Sequence, residues 1–314
     1  MPAPLDVRPL LDPEIAAVLA NLPLGLGMLS DATLPQIRGA MSLRPPIPVS
    51  DDVLRTDHDI PGRAGVSVRV HRPKKAASAP RPCIYWMHGG GLILGTNKAD
   101  DARFDRWCQL FDCVGVSVEY RLAPESKYPE PLEDCYEGLR WVRDNAASLG
   151  VDPARIGVSG ASAGGCLAAG LALLARDRGE LPIAFQALIY PMIDDRQVTP
   201  SSSWEDPVWP PGANTYGWRS YLGELTGEAV PMYAAAARAT DLTRLPPTFI
   251  SVGALDGFSD EDIDYAVRLR HAGVPTELHV YPGAPHGFDA FAPGTAIAQR
   301  ANRDIEEWLA PHLK

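Results

Sequence analysis

The chain has 314 residues, of which 46% are hydrophobic and 22% charged, a globular balance that excludes a disordered protein. Its 29 Lys and Arg against 39 Asp and Glu give a net charge of −10, whereas a binder of nucleic-acid phosphates needs a basic footprint. A chain of this length buries roughly 75% of its unfolded surface and needs no disulfide or metal to fold.

Residues 1–45 are punctuated by proline and modestly helical, with a helix start at Asp12-Pro13-Glu14, where proline sits early and its missing N–H costs nothing. From Gly65 onward strands and helices alternate. Val66–Val70 alternates apolar and polar residues as a half-exposed strand does, and Cys83–Met87 and Val114–Val118 are short buried-type strands. Leu132, Cys135, Tyr136, Leu139 and Val142 recur at helical spacing before the stop at Gly150. Arg155–Ser159 predicts a strand and Cys166–Arg176 a helix, with further strands at Ala184–Tyr190, Thr248–Val252 and Glu277–Tyr281. The last helices are expected at Ser259–His271 and Ala296–Leu309. Such alternation calls for a mainly parallel sheet covered by helices on both faces. Between Pro191 and Pro247 proline and tryptophan clusters break the rhythm, which predicts an insertion over the sheet edge rather than a separate domain.

The 20 residues Ile156–Ala175 carry no charge, enough in length to cross a bilayer. Five glycines and a change from β-like to Ala/Leu-rich composition favour a buried strand, a tight turn and a buried helix instead, so no membrane span is expected. The five cysteines form no C-x-x-C pair and sit among apolar neighbours, as small buried hydrophobes do. The first residues lack the basic start and apolar core of a signal peptide, and no Asn-x-Ser/Thr site occurs. A cytoplasmic protein is expected.

The chemistry concentrates at Gly160-Ala161-Ser162-Ala163-Gly164, a G-x-S-x-G pattern between a strand and a helix. A serine in so sharp a turn needs glycine two residues to either side, and the turn lifts its hydroxyl to the helix N-terminus, where negative charge is favoured. The loop His88-Gly89-Gly90-Gly91 follows the strand Cys83–Met87; glycines let several N–H groups converge on one oxyanion. A phosphate loop is the competing reading of these glycines, but Thr96-Asn97 stands where Lys-Ser/Thr is required. A serine nucleophile needs a base and the base an orienting acid. His286, in a loop after the last strand, is the one of seven histidines with that context, and Asp256 follows the strand Thr248–Val252. Ser, Asp, His is also the chain order in which triads built on a strand-to-helix G-x-S-x-G turn occur. Asp260, Glu261 and Asp262 are explained as acids in the first turn of the next helix.

His88–Gly91, Tyr120–Glu125, Gly160–Gly165, Asp256 and His286-Gly287-Phe288 together resemble the hormone-sensitive-lipase-like carboxylesterases over about residues 60–312. The resemblance implies an α/β-hydrolase fold with a catalytic domain over 46–314. Its cap would come from residues 1–45 and an insertion at about 195–230. It also implies hydrolysis of esters with short or medium acyl chains, no cofactor, and often a homodimer. By motif position Ser162, Asp256 and His286 would form the triad, and Gly90, Gly91 and Ala163 the oxyanion hole. Leu92-Ile93-Leu94, after the glycine loop, are candidate walls of the acyl pocket, Leu92 first among them, with packing under the loop as the alternative. Tyr120, Trp86, Trp204, Trp209 and Trp218 are candidates either to line that pocket or to pack in the core or cap, and Trp86 is expected in the core. Two positions depart from the family pattern: Ala161, where Asp or Thr often stands, and Gly257, where Pro or Leu is usual. An amidase, lactonase or acyltransferase would use the same triad, and a non-catalytic receptor on this fold is the reading from a different class.

Overall fold

The computed structural model describes residues 5–22, 26–43 and 48–314. Of the expected N-terminal cap segment 1–45, residues 1–4, 23–25 and 44–45 therefore lie outside the described residues.

Among the described residues eight strands form one sheet in the order β1-β2-β4-β3-β5-β6-β7-β8. They are β1 (Val53–Asp59), β2 (Ser67–Pro73), β3 (Arg81–Met87), β4 (Val114–Glu119), β5 (Val151–Ala161), β6 (Gln186–Ile189), β7 (Thr248–Gly253) and β8 (Thr276–Tyr281). β2 runs antiparallel to β1 and β4, and the pairs from β4 through β8 are parallel. β3 shows why a central strand reads as an unbroken apolar run. Cys83, Tyr85 and Met87 point to one face, Ile84 and Trp86 to the other, and all five are buried.

The helices are α1 (Pro13–Leu19), α2 (Leu34–Ser42), α3 (Asp101–Phe111), α4 (Glu130–Asp144), α5 (Ala146–Leu149), α6 (Ala163–Arg178), α7 (Pro211–Leu222), α8 (Ser259–His271), α9 (Phe288–Phe291) and α10 (Ala296–His312). α4, α6 and α8 cover the face that carries Tyr85 and Met87; α3 and α10 cover the face that carries Trp86. The uncharged stretch Ile156–Ala175 divides into the end of β5 and most of α6. No helix among the described residues is long and apolar enough to cross a membrane.

The insertion between β6 and β7 lies over the carboxyl ends of the strands rather than beside the sheet, and it shares one core with them through Trp209, Trp218 and Tyr221. The N-terminal segment meets it there: Tyr216 of α7 donates to Asp31 at 3.0 Å. Arg38 of α2 reaches below, donating to the carbonyls of Ile93 at 2.9 Å and Ala123 at 2.7 Å while pairing with Glu125. Two segments distant in sequence thus close over the same end of the sheet, where ligands of open α/β sheets bind.

The junction of β5 and α6 is the tightest point of the fold. A Cβ on Gly160 would fall on the carbonyl of Gly164, and one on Gly164 would strike the carbonyl of Met87 in β3. Gly164→Ala should therefore push α6 off the sheet and cost about 1–3 kcal/mol, read as a fall in denaturation midpoint with an unchanged m-value. A midpoint equal to that of the wild type would show the contact to be slack.

Candidate active site

Ser162 joins β5 to α6 with φ 57° and ψ −120°, a backbone conformation that side chains avoid unless the surroundings impose it. Here they do: its N–H donates to Ile189 O at 2.9 Å, and its carbonyl accepts from Cys166 N at 3.0 Å and Met192 N at 3.1 Å. The hydroxyl is held above the sheet, 2.9 Å from His286 Nε2. His286 Nδ1 lies 2.8 Å from Asp256 Oδ2, and the other carboxylate oxygen accepts from Phe258 N at 2.9 Å. A carboxylate can only accept, so Nδ1–H donates to it and Nε2 is left to accept from the serine hydroxyl. All three residues named from the sequence converge, though Ser162 and His286 are 124 positions apart.

The glycine loop lies beside them. Gly90 and Gly91 adopt φ values of 122° and 60°, and both line the cavity at Ser162. The loop curls so that Gly90 O accepts from Ile93 N and Leu94 N. Among the described residues no acceptor is bonded to the N–H of Gly90 or Gly91. Ala163, the first residue of α6, is buried directly behind the serine. His88 fixes the base of the loop: its Nδ1 lies 2.9 Å from Gly89 O, and Tyr120 stacks on its ring and donates to its carbonyl at 2.7 Å. Burial holds the His88 imidazole below its ordinary pKa.

Of the three apolar residues after the glycine loop, Leu92 departs from the expectation. It is fully buried in the core and does not line the cavity; Leu94 does. The curl of the loop turns residue 92 inward and residue 94 towards Ser162. Of the candidate aromatic residues, Trp209 lines the cavity, whereas Tyr120 and Trp218 pack in the core. The cavity measures about 530 Å³ and is walled by Ile37, Ala40 and Met41 of α2 and by Val208 and Trp209 of the insertion.

A fourth residue at the centre, Asp206, has no signature in the sequence. It is buried in the insertion and accepts three backbone N–H groups, from His286 at 2.8 Å, Val208 at 2.7 Å and Trp209 at 3.0 Å. The Trp209 indole that it holds sits where a Cβ on Gly91 would be. One carboxylate thus fixes both the histidine backbone and the ring over the glycine loop. Burial, followed by the charge of Asp256, pushes the Asp206 carboxyl up to about 6. For His286, burial alone would lower the pKa, but the charge and hydrogen bond of Asp256 oppose it. With Asp206 and Asp289 added, they hold the imidazole above its ordinary value.

The acids after Asp256 are more than solvated helix-start charges. Asp260 accepts from Ser201 N at 2.8 Å, and Glu261 is buried with Ile193 N and Asp194 N donating to it. They tie the start of α8 to the insertion. Asp262 is fully buried without a hydrogen-bond partner among the described residues, and burial raises its carboxyl well above the ordinary range.

Asp206→Asn removes a negative charge beside His286, so the imidazole should release its proton at lower pH than in the wild type. An NMR titration of the His286 ring reads this directly: a downward shift of the midpoint is expected. An unchanged midpoint would limit Asp206 to holding the backbone.

Residues 84–290 match the model of the alpha/beta hydrolase fold family. The chain is 35% identical to the esterase LipI of Mycobacterium tuberculosis over 96% of its own length and 95% of the relative's. It is 33% identical to the carboxylesterase NlhH of the same species, covering 93% of each chain. Among solved structures, a bacterial heroin esterase superposes with a TM-score of 0.89 at 40% identity, over 98% of this chain and 99% of that one. The esterase LipW of Mycobacterium marinum gives 0.87 at 36% identity, over 99% and 98%. With relatives of this kind along its whole length, the chain belongs to the alpha/beta hydrolase family, in its hormone-sensitive-lipase-like branch, and is a carboxylic ester hydrolase.

Proposed function

We propose that the protein hydrolyses esters with short to medium acyl chains through an acyl-enzyme on Ser162. The observation that carries this reading is the unbroken chain of contacts from Ser162 Oγ through His286 to Asp256 at 2.9 and 2.8 Å. His286 Nε2 takes the hydroxyl proton as Oγ attacks the ester carbonyl carbon. The carbonyl π electrons move to oxygen, and that oxyanion accepts from the N–H groups of Gly90, Gly91 and Ala163 at the N-terminus of α6. Collapse of the tetrahedral intermediate breaks the carbon–oxygen bond to the alcohol, which leaves with the proton from Nε2. Water then repeats the cycle on the acyl-enzyme: His286 takes its proton, hydroxide adds to the carbonyl, and Ser162 leaves reprotonated. Asp256 keeps Nδ1 protonated throughout and stabilises the imidazolium formed twice per turnover.

In this reading the N-terminal segment and the insertion form a cap. α2 contributes Ile37, Ala40 and Met41, and the insertion Val208 and Trp209, to the wall around the serine. The cavity volume of about 530 Å³ supports short and medium acyl groups, each fitted methylene adding up to about 0.8 kcal/mol until the space is full. The five cysteines are all unpaired and buried, which fits a reducing compartment such as the cytoplasm.

A series of p-nitrophenyl esters tests the reading. Activity should peak at short to medium acyl length, and Ser162→Ala should lower kcat by about 10⁴–10⁶, with KM little changed. Retained activity in that variant would exclude Ser162 as nucleophile. Greatest activity on long-chain emulsions would make the protein a lipase instead.

A further inference from the structure

The cavity is not apolar all round. Beyond the glycine loop it ends on Asp100 and Arg103, at the start of α3, and neither belongs to the machinery described above. Their side chains are 20% and 14% exposed. Arg103 is pinned in place: its guanidinium lies 5.2 Å over the Trp86 ring and 5.3 Å over that of Trp107, and Nη2 donates to Asp289 at 3.0 Å. Asp289 in turn accepts from Tyr190 at 2.6 Å, and the Tyr190 ring packs edge-on against His286 at 5.0 Å. The charged pair is therefore one tyrosine and one carboxylate away from the histidine.

The pair is also incompletely bonded. Asp100 Oδ2 accepts from Trp86 Nε1 at 2.8 Å. Its Oδ1 faces Arg103 Nε at 3.6 Å, too far for a hydrogen bond. Among the described residues Arg103 Nη1 has no acceptor and Asp100 Oδ1 no donor. Behind them lies a second hollow of about 610 Å³, lined by the same Ala99, Asp100, Arg103 and Ala290 together with Arg106 and Glu306. Asp100 and Arg103 thus form a polar partition between an apolar cleft and a charged outer hollow.

We infer that this partition is a subsite for the polar end of a substrate: the enzyme prefers esters in which one arm ends in a hydroxyl or similar donor–acceptor group and discriminates against an alkyl arm of equal length. A hydroxyl accepts from the arginine and donates to the aspartate, completing both. A terminal methyl in the same place displaces water from two charged groups and returns no hydrogen bond, which is costly in a confined site. The inference rests on the reading of this cavity as the substrate cleft.

The test compares medium-length p-nitrophenyl alkanoates with counterparts whose terminal methyl is replaced by hydroxyl, and alkyl acetates with the matching diol monoacetates, so that both arms are probed. In the wild type the hydroxyl compound should have the higher kcat/KM in one arm, by about tenfold. The ratio is taken within each protein, so that changes in overall rate cancel. Arg103→Met keeps the bulk of the partition and removes its donors, and should bring the ratio to one or below. Arg103→Ala opens the partition and should move the alkyl optimum to longer chains. A wild-type ratio of one or less in both arms overturns the inference without any variant having to fold. So does a hydroxyl preference that survives in Arg103→Met. Wild-type hydrolysis of p-nitrophenyl acetate is the separate control: its absence would sink the cleft reading, and this inference with it.

Discussion

The active site depends on one close approach. α6 can begin directly above the sheet only because its first turn meets the carbonyl of Met87 without a side chain between them. That contact fixes the position from which Ser162 projects at φ 57°, a strained backbone maintained by the hydrogen bonds that enclose it. It also brings β3 beside β5, so the glycine loop that continues β3 arrives next to the serine. Backbone geometry in the sheet therefore places the hydroxyl and the glycine loop together before the histidine and its carboxylate are considered.

The histidine is supported differently. Asp256 and His286 both follow strands on the far side of the elbow, β7 and β8, whose parallel pairing aligns their ends. The imidazole lies among buried carboxylates, and their combined charge outweighs the effect of burial on its basicity. One of them, Asp206, belongs to the insertion and also holds Trp209 against Gly91. The insertion is consequently part of the geometry around His286 as well as part of the wall, and a change in its fold would be felt at the histidine.

Much of this was legible in the sequence, because the nucleophile turn, the glycine loop and the histidine loop each carry a local pattern. Local patterns are also where that reading ends. Asp206 precedes a proline in a stretch without periodicity, so it reads as an ordinary turn residue, and only the fold carries it beneath His286. Leu92 and Leu94 are equally apolar, and which of them faces the cavity depends on the curl set by Gly90. Glu261 and Asp262 look like helix-start charges because sequence does not reveal that the insertion closes over the start of α8. β1 lacks the alternation of a strand, since its residues Leu54, Arg55, Thr56, Asp57 and His58 lie near or at the surface and its pairing with β2 holds it in place. α3 is hidden in the sequence for a related reason: four charged side chains, Asp101, Arg103, Asp105 and Arg106, mask the apolar stripe of Phe104, Trp107 and Cys108.

The central claim is that Ser162 carries the acyl group, and mass spectrometry of the protein quenched with acid during turnover of p-nitrophenyl acetate addresses it most directly. The account predicts a single acetyl adduct that maps to the peptide containing Ser162 and disappears as substrate is exhausted. An adduct on any other residue, or hydrolysis that proceeds undiminished in a protein whose Ser162 is replaced by alanine, would contradict it.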